Sequence, residues 1–445
     1  MKLKIFILFF CFSVLFFSCK KDNNAQNNNN NNNNNTQVNP PRLLDIKNSS
    51  TLFIAQSSSF KTDGSDPENR LFKVTADGLV VEVTVKDEMG SDITRTVQPK
   101  NICNLNDDFF TATYQFNGNG NTQTYLVRKS DGAVFSGEKI FSRYFSSSDR
   151  SDLIVQEDGA GNIYYNYQTS GGGNSIVELI KLNVSNPQSL TTERYSASGD
   201  DISLFVVDKN ANILYAGKDA NQKAITRYRN NSSGFTNLNA SSSMFFTDAT
   251  KENMYTIRTS FSGVEKNTIY KLNTQTSAFE LSPDTSGILH IKKSCTVKGQ
   301  NKVLLYGVDW NFNNDYIFEF TGSNPIATAK IPTSSLGLLG YPSGNILPVE
   351  SIIASNMNYY ILGNDNSFNK VLIKVDGATH SYTKLVLSSD YDIQQLVIGK
   401  NDELMFYGIR MSDGNKVLAR INISGNIEVL TVFDNTTVNS LERIN

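Results

Sequence analysis

Histidine is nearly missing from these 445 residues: only His290 and His380 occur, which leaves little for a His-rich zinc cage or a His-based proton relay. Neither has a nearby nucleophile and acid that would complete a triad. His290 alternates with Leu289 and Ile291 as in a strand, and His380 lies in the turn DGATHSYT. Charge of one sign is missing too. The 41 basic and 43 acidic side chains leave a net charge of −2, so no basic field favours nucleic acid. There is no Gly-rich phosphate loop opening a helix, no paired-Cys metal spacing, and almost no 3.6-residue apolar periodicity. Beyond the first twenty residues no run is apolar enough to cross a bilayer.

What is present begins with an address. MKLKIFILFFCFSVLFFSCKKD carries Lys2 and Lys4 ahead of an apolar stretch from Ile5 to Phe17, too short and wrongly flanked for a lasting transmembrane helix. Residues 1–18 therefore read as a signal peptide. Leu15, Phe16, Phe17, Ser18 and Cys19 resemble the lipobox of bacterial lipoproteins, with Phe16 standing where an aliphatic residue is usual. The resemblance implies that Cys19 is lipidated, becomes the new N-terminus and anchors the body to a membrane without spanning it. It further implies an outer-membrane lipoprotein of the bacterial cell envelope. Lys20, Lys21 and Asp22 resemble export signals to the outer face, and the periplasmic side stays open. Residues 19–41, including the Asn run from Asn27 to Asn35, bury nothing that offsets the entropy of ordering them, and are expected to be a disordered tether. Cys103 and Cys295, 192 residues apart, are expected as two isolated thiols.

From Arg42 onward the chain is short alternating or β-branched runs parted by Gly, Asn, Asp and Ser, which reads as all-β. A hairpin recurs in which a charged residue lies between apolar ones: Lys73, Arg128, Lys181, Arg227, Lys271, Glu319, Lys374 and Arg420. Their spacings of 55, 53, 46, 44, 48, 55 and 46 fit one four-stranded unit per repeat. Residues 42–445 are thus expected to form a β-propeller of eight four-stranded blades, with seven as the alternative because Leu43 to Lys47 and Leu52 to Ala55 make a thin first blade. The charged positions read as framework, their stems covering apolar surface while the charges stay in water. Architecturally this resembles the propeller lipoproteins of the outer-membrane β-barrel assembly machinery, but their repeated Gly and Trp blade motif is missing here, so their role is not carried over.

On a propeller, chemistry sits in the loops. In VDWNFNNDY, Asp309, Asn311, Asn313 and Asp315 are spaced like the start of a calcium loop, although Asn314 and Phe320 stand where such loops place Gly and Glu. Calcium is the one candidate metal, and no other cofactor is expected. Trp310 and Phe312 in the same loop are candidate anchors for a partner protein or a sugar ring. Two long connections supply further candidates: Phe141, Tyr144 and Phe145 in KIFSRYFSSSDR, and Leu338 and Tyr341 in TSSLGLLGYPSGNILP. A single Trp excludes the tryptophan docking motifs of quinoprotein propellers. The reading is a monomeric, lipid-anchored binding module without catalysis, with a protein or glycan partner and no nucleic acid. The alternative is a carbohydrate-active hydrolase or lyase with carboxylates at the propeller axis.

Overall fold

The computed structural model describes residues 39–443, leaving aside 58–67, 117–121, 137–154, 170–175, 232–233, 239–243, 249, 262–264, 282–288, 298–301, 310–314, 322–323, 333–348, 355–357, 366–368, 380, 387–389, 399–402, 423–425 and 434–436; for 50, 56–57, 122, 136, 167–169, 259–261, 265–268, 281–302, 306–357, 385–386, 437–440 and 442–443 it describes the backbone alone. Within the unit Asn39–Asn445 the described residues contain no helix, and their strands form eight four-stranded antiparallel sheets plus one two-stranded pair.

Numbered in chain order, and with strands given in hydrogen-bonding order, sheet 1 is Thr437–Arg443, Ser49–Ser57, Glu68–Thr75 and Val80–Glu82, and sheet 2 is Val97–Asn104, Phe109–Phe116, Thr122–Arg128 and Val134–Ser136. Sheet 3 is Val155–Glu157, Ile163–Thr169, Ile176–Asn183 and Thr191–Arg194; sheet 4 is Asp201–Val207, Ile213–Lys218, Ala224–Arg229 and Phe235–Asn237. Sheet 5 is Met244–Thr247, Met254–Phe261, Glu265–Asn273 and Ala278–Leu281; sheet 6 is Leu289–Val297, Lys302–Asp309, Asp315–Thr321 and Asn324–Pro332. Sheet 7 is Val349–Ala354, Asn358–Asn364, Lys370–Asp376 and Tyr382–Val386; sheet 8 is Tyr391–Ile398, Leu404–Arg410, Lys416–Ile421 and Ile427–Phe433.

Burial explains the strand chemistry. Each sheet is packed face to face between its neighbours, so second strands are covered on both sides and read as continuous apolar runs. Phe109–Phe116 and Asn358–Asn364 are buried almost throughout. Fourth strands stand at the rim, where Thr191–Arg194 and Phe235–Asn237 are exposed at every position. The core is correspondingly a series of slabs between successive sheets. One slab joins Phe109 and Leu126 of sheet 2 to Ile163 and Tyr165 of sheet 3, and the next joins Tyr164 to Phe205 and Tyr215 of sheet 4. Others join Leu214 to Met254, Tyr255 to Val303, and Leu372 to Phe406. The last packs Met405, Tyr407 and Leu418 of sheet 8 against Phe53, Val74 and Leu441 of sheet 1, closing the ring. First strands touch from sheet 3 to 4, 4 to 5, 6 to 7, 7 to 8, 8 to 1 and 1 to 2, so they line the axis of a β-propeller.

The closing sheet departs from the sequence expectation. Leu43 to Lys47 does not supply its first strand: Leu43–Leu44 pairs instead with Val85–Lys86, and the place beside Ser49–Ser57 belongs to Thr437–Arg443. Leu44 and Ile46 are buried between the rims of sheets 1 and 2, with the Leu44 amide donating to the Gly132 carbonyl and the Val134 amide to that of Arg42. Pairing with Thr437–Arg443 buries Leu441 against Phe53, a contact two-residue Leu43–Leu44 could not supply.

The recurring charged residues all fall on third strands, as the repeat implied. Four stand directly opposite a tyrosine of the second strand: Lys181 by Tyr164, Arg227 by Tyr215, Lys271 by Tyr255 and Lys374 by Tyr360. Their heads are less free than expected. Lys73 is only 7% exposed and lies 3.4 Å from Asp45; Arg227 meets buried Asp200 at 3.1 Å; Lys181 sits over the rings of Tyr164 and Tyr195. Head groups this close to the slab are held by carboxylates or ring faces as well as by water.

Candidate functional site

Two features converge on the axis. The first is a bulge repeated along the first strands. In sheet 2 the register slips between Pro99 and Asn101, leaving Lys100 unpaired; in sheet 4 it slips around Ser203, in sheet 6 around Lys292, in sheet 7 around Glu350, in sheet 8 around Gln394, and in sheet 1 around Asn439. All six residues are polar, and all lie in the first half of their strands, so they share one level of the channel. A bulge bends its strand and re-aims the extra side chain. Ser203 and Gln394 are exposed accordingly, and Lys100 is half-buried.

Glycine makes this geometry fit. The residue preceding the bulge pairs with Gly217 in sheet 4, Gly307 in sheet 6, Gly363 in sheet 7 and Gly408 in sheet 8. A β-carbon on Gly217 would stand 1.9 Å from the Asp201 carbonyl oxygen, and one on Gly408 2.3 Å from that of Asp392. The bulged strand leans onto the second strand where a side chain is missing. Sequence reading missed this collar, although a signal exists: apolar or aromatic runs ending in Gly and leading to a charged residue (LYAGK, LLYGVD, YILGND, MFYGIR).

The second feature lies at the other end of the first strands, where their turns into the second strands are stitched together. Asp158 accepts from the amides of Ala160 and Asn162 and from Asn162 Nδ2; Asp208 does the same with Asn210 and Asn212; Asp248 accepts from the Glu252 amide and Asn253 Nδ2. The backward curl is completed by a left-handed residue, Gly161, Ala211 or Lys251, with φ of 80°, 63° and 56°. Adjacent turns then bond to one another. Gly159 N donates to Lys209 O at 2.9 Å, Lys209 N to Lys251 O at 2.8 Å, and the Lys251 ammonium reaches past sheet 4 to the Glu157 carbonyl at 2.7 Å. Burial raises the carboxyl of Glu157 above its ordinary range, opposed by Lys251 and by a hydrogen bond from Asn106; Asp107 and Asp108 raise it further. Burial raises Asp208 likewise, against its hydrogen bonds from Asn212.

Cys19, Phe141, Tyr144, Phe145, Trp310, Asn311, Phe312, Asn313, Leu338 and Tyr341 are outside the described residues. Asp309 ends the second strand of sheet 6 and Asp315 begins the third, so their backbones flank that loop. Among the described residues no group of three or more His, Cys, Asp or Glu side chains is placed to hold a metal ion, and no helix is long and apolar enough to cross a membrane. Cys103 and Cys295 lie in sheets 2 and 6, four places apart in the ring, too far for the Cα separation of about 7 Å that a disulfide tolerates. The Cys103 thiol instead lies 3.6 Å from the Asn104 carbonyl.

Comparison with known proteins agrees on architecture. Neither any family model nor any curated protein sequence matches the chain. Among solved structures, Porphyromonas gingivalis dipeptidyl peptidase 4 is similar at 9% identity with a TM-score of 0.50, over 75% of this chain and 53% of that one. The chain thus spans about half the length of that peptidase. The β-propeller domain of the Trilobed protease from Pyrococcus furiosus is similar at 8% identity and a TM-score of 0.45, over 76% of this chain and 98% of that one. At such identities the likeness is one of fold, and the fold is that of a β-propeller.

Proposed function

We propose that this chain is a lipid-anchored propeller of the bacterial cell envelope, held in the outer membrane through Cys19, and that it binds a ligand or partner rather than transforming it. The observation that carries the binding reading is the collar: six first strands each break register at a polar residue, all at one level of the axis. Bulges are features that a sheet builds at a cost in ladder hydrogen bonds, and they concentrate beside sites. The anchor is tested by Cys19→Ala, which should move the protein from the membrane to the soluble envelope fraction; a variant that stays wholly with membranes refutes it. The loops with Trp310, Phe312 and Tyr144 would add a partner-facing surface. Trp310→Ala and Tyr144→Ala should then weaken partner capture without lowering thermal stability, whereas lost stability would make those rings blade packing.

A second reading, a hydrolase, has support of its own. The solved structure with the higher TM-score reported above is a peptidase. Glu157, raised by burial at the inner end of sheet 3 with Asp107 and Asp108 nearby, has the character of a general acid. Incubation with peptides and with acidic oligosaccharides separates the two readings. Turnover abolished by Glu157→Gln establishes hydrolysis; capture of a ligand that is recovered intact establishes binding.

A further inference from the structure

The side chains at the collar differ in what they offer. Ser203 and Gln394, both exposed, each donate and accept hydrogen bonds, whereas Lys100 only donates and carries charge. Lys100 is half-buried, and among the described residues no carboxylate pairs with it. Burial alone pulls its ammonium below the ordinary lysine range. An ammonium taken partly out of water without a counter-charge costs stability, and such a cost persists where a ligand supplies the missing charge. At the opposite end of the first strands the Gly159, Lys209 and Lys251 hydrogen bonds join the turns of sheets 3, 4 and 5, so the two ends of the channel are built differently.

We propose that the collar is a binding site for an anionic sugar, with Lys100 taking the carboxylate or phosphate group and Ser203 and Gln394 taking ring hydroxyls. A sugar presents groups that both donate and accept around its whole perimeter, which matches polar residues arrayed around an axis. An acidic peptide presents its amides along one line and its carboxylates on flexible stems. Register places Asn439, Lys292 and Glu350 at the same level of sheets 1, 6 and 7. This assignment rests on the binding reading above and narrows it to a ligand class.

The test is calorimetric titration of the full-length protein in detergent with galacturonate trimer, glucose 6-phosphate, neutral maltotriose and triglutamate. One of the two anionic sugars should bind, the tighter one identifying carboxylate or phosphate as the source of charge, with maltotriose weaker by at least about tenfold. Lys100→Met should weaken that binding by about tenfold or more while leaving the unfolding temperature unchanged or raised, as expected of a lysine kept for a ligand rather than for the fold. Lys384→Met, an exposed rim lysine, should change neither. Should Lys100→Met fail to fold, Lys100→Arg with the salt dependence of binding takes its place, and salt-independent affinity counts against the assignment. The proposal is overturned if Lys100→Met binds like the parent, if maltotriose or triglutamate binds as tightly as the anionic sugars, or if no probe binds at millimolar concentration. Any of these with partner capture intact removes the collar assignment and leaves the binding reading standing.

Discussion

Alanine at Gly217 should be among the most damaging small substitutions in the chain. The added carbon would lie 1.9 Å from the Asp201 carbonyl oxygen, 2.9 Å from its carbon and 3.0 Å from Ile202 Cα, all backbone atoms that cannot swing aside. Restoring an ordinary contact requires the first strand of sheet 4 to retreat by about 1.5 Å. Overpacking of this kind costs about 1–3 kcal/mol, and losing one or two ladder bonds on either side of Ser203 adds about 1 kcal/mol each, so about 2–5 kcal/mol is expected. Gly408→Ala meets the Asp392 carbonyl oxygen at 2.3 Å and should cost less, about 2–3 kcal/mol. Gly234 supplies the control: nothing lies within 4 Å of its added carbon, and its φ is ordinary. Alanine there restricts only the unfolded chain and should stabilise by about 0.4–1 kcal/mol. Urea unfolding of the three variants, compared at unchanged denaturant slope, should therefore rank Gly217→Ala below Gly408→Ala, and Gly234→Ala at or above the parent. If Gly217→Ala unfolds at the parental midpoint, or Gly234→Ala is equally damaging, the account of the bulge collar is wrong.

Two further outcomes test the ring and its surface. Leu441→Ala, in the strand that closes sheet 1, empties a site with no exposure beside Phe53 and Met405 and should cost about 2–5 kcal/mol, while Val432→Ala, 41% exposed at the rim of sheet 8, should stay within about 0.5 kcal/mol; equal effects in thermal unfolding would contradict the closure. Asp413 is held down from 3.8 to about 2, first by its hydrogen bond from Arg410, so the folded state keeps this carboxylate charged at pH values where the unfolded chain has protonated it. The sign follows: its contribution is present above the unfolded value and is lost as pH falls from about 4 toward 2, so Asp413→Asn should lose stability less steeply across that window in acid titrations followed by circular dichroism.

The strands themselves were readable because a face that must be buried every second residue leaves its mark on every run. Sheet 8 shows this: Arg420, a charged letter in an apolar run, marks the strand observed as Lys416–Ile421. The third-strand charges were readable for the same reason, as single polar letters in apolar runs. Thr437–Arg443 was not. Its pairing with Ser49–Ser57 spans almost the whole chain, and nothing local distinguishes a strand that closes a ring from one that begins a repeat. The collar escaped because a bulge is one residue of broken alternation and looks like noise until its partner strand is known. Gly217 and Gly408 read as turn residues in a sequence, whereas in the fold they are close-approach residues within strands. The Asp turns were within reach, since Asp158 with Asn162 and Asp208 with Asn212 repeat one spacing, but their bonding across sheets is invisible in one dimension.

Sheet 1 draws its first strand from the last residues of the chain and the other three from the start of the body. Seven sheets can assemble from contiguous sequence as it becomes available, whereas the eighth waits for residue 443. Until then the buried faces around Phe53 and Met405 stand open at a seam. Ring closure therefore cannot precede Thr437–Arg443; it has to follow the arrival of that strand. Such an order keeps the ring open until a strand encoded far from its partner has formed. It also makes Thr437–Arg443, rather than any loop, the segment whose loss would leave the whole propeller open to aggregation.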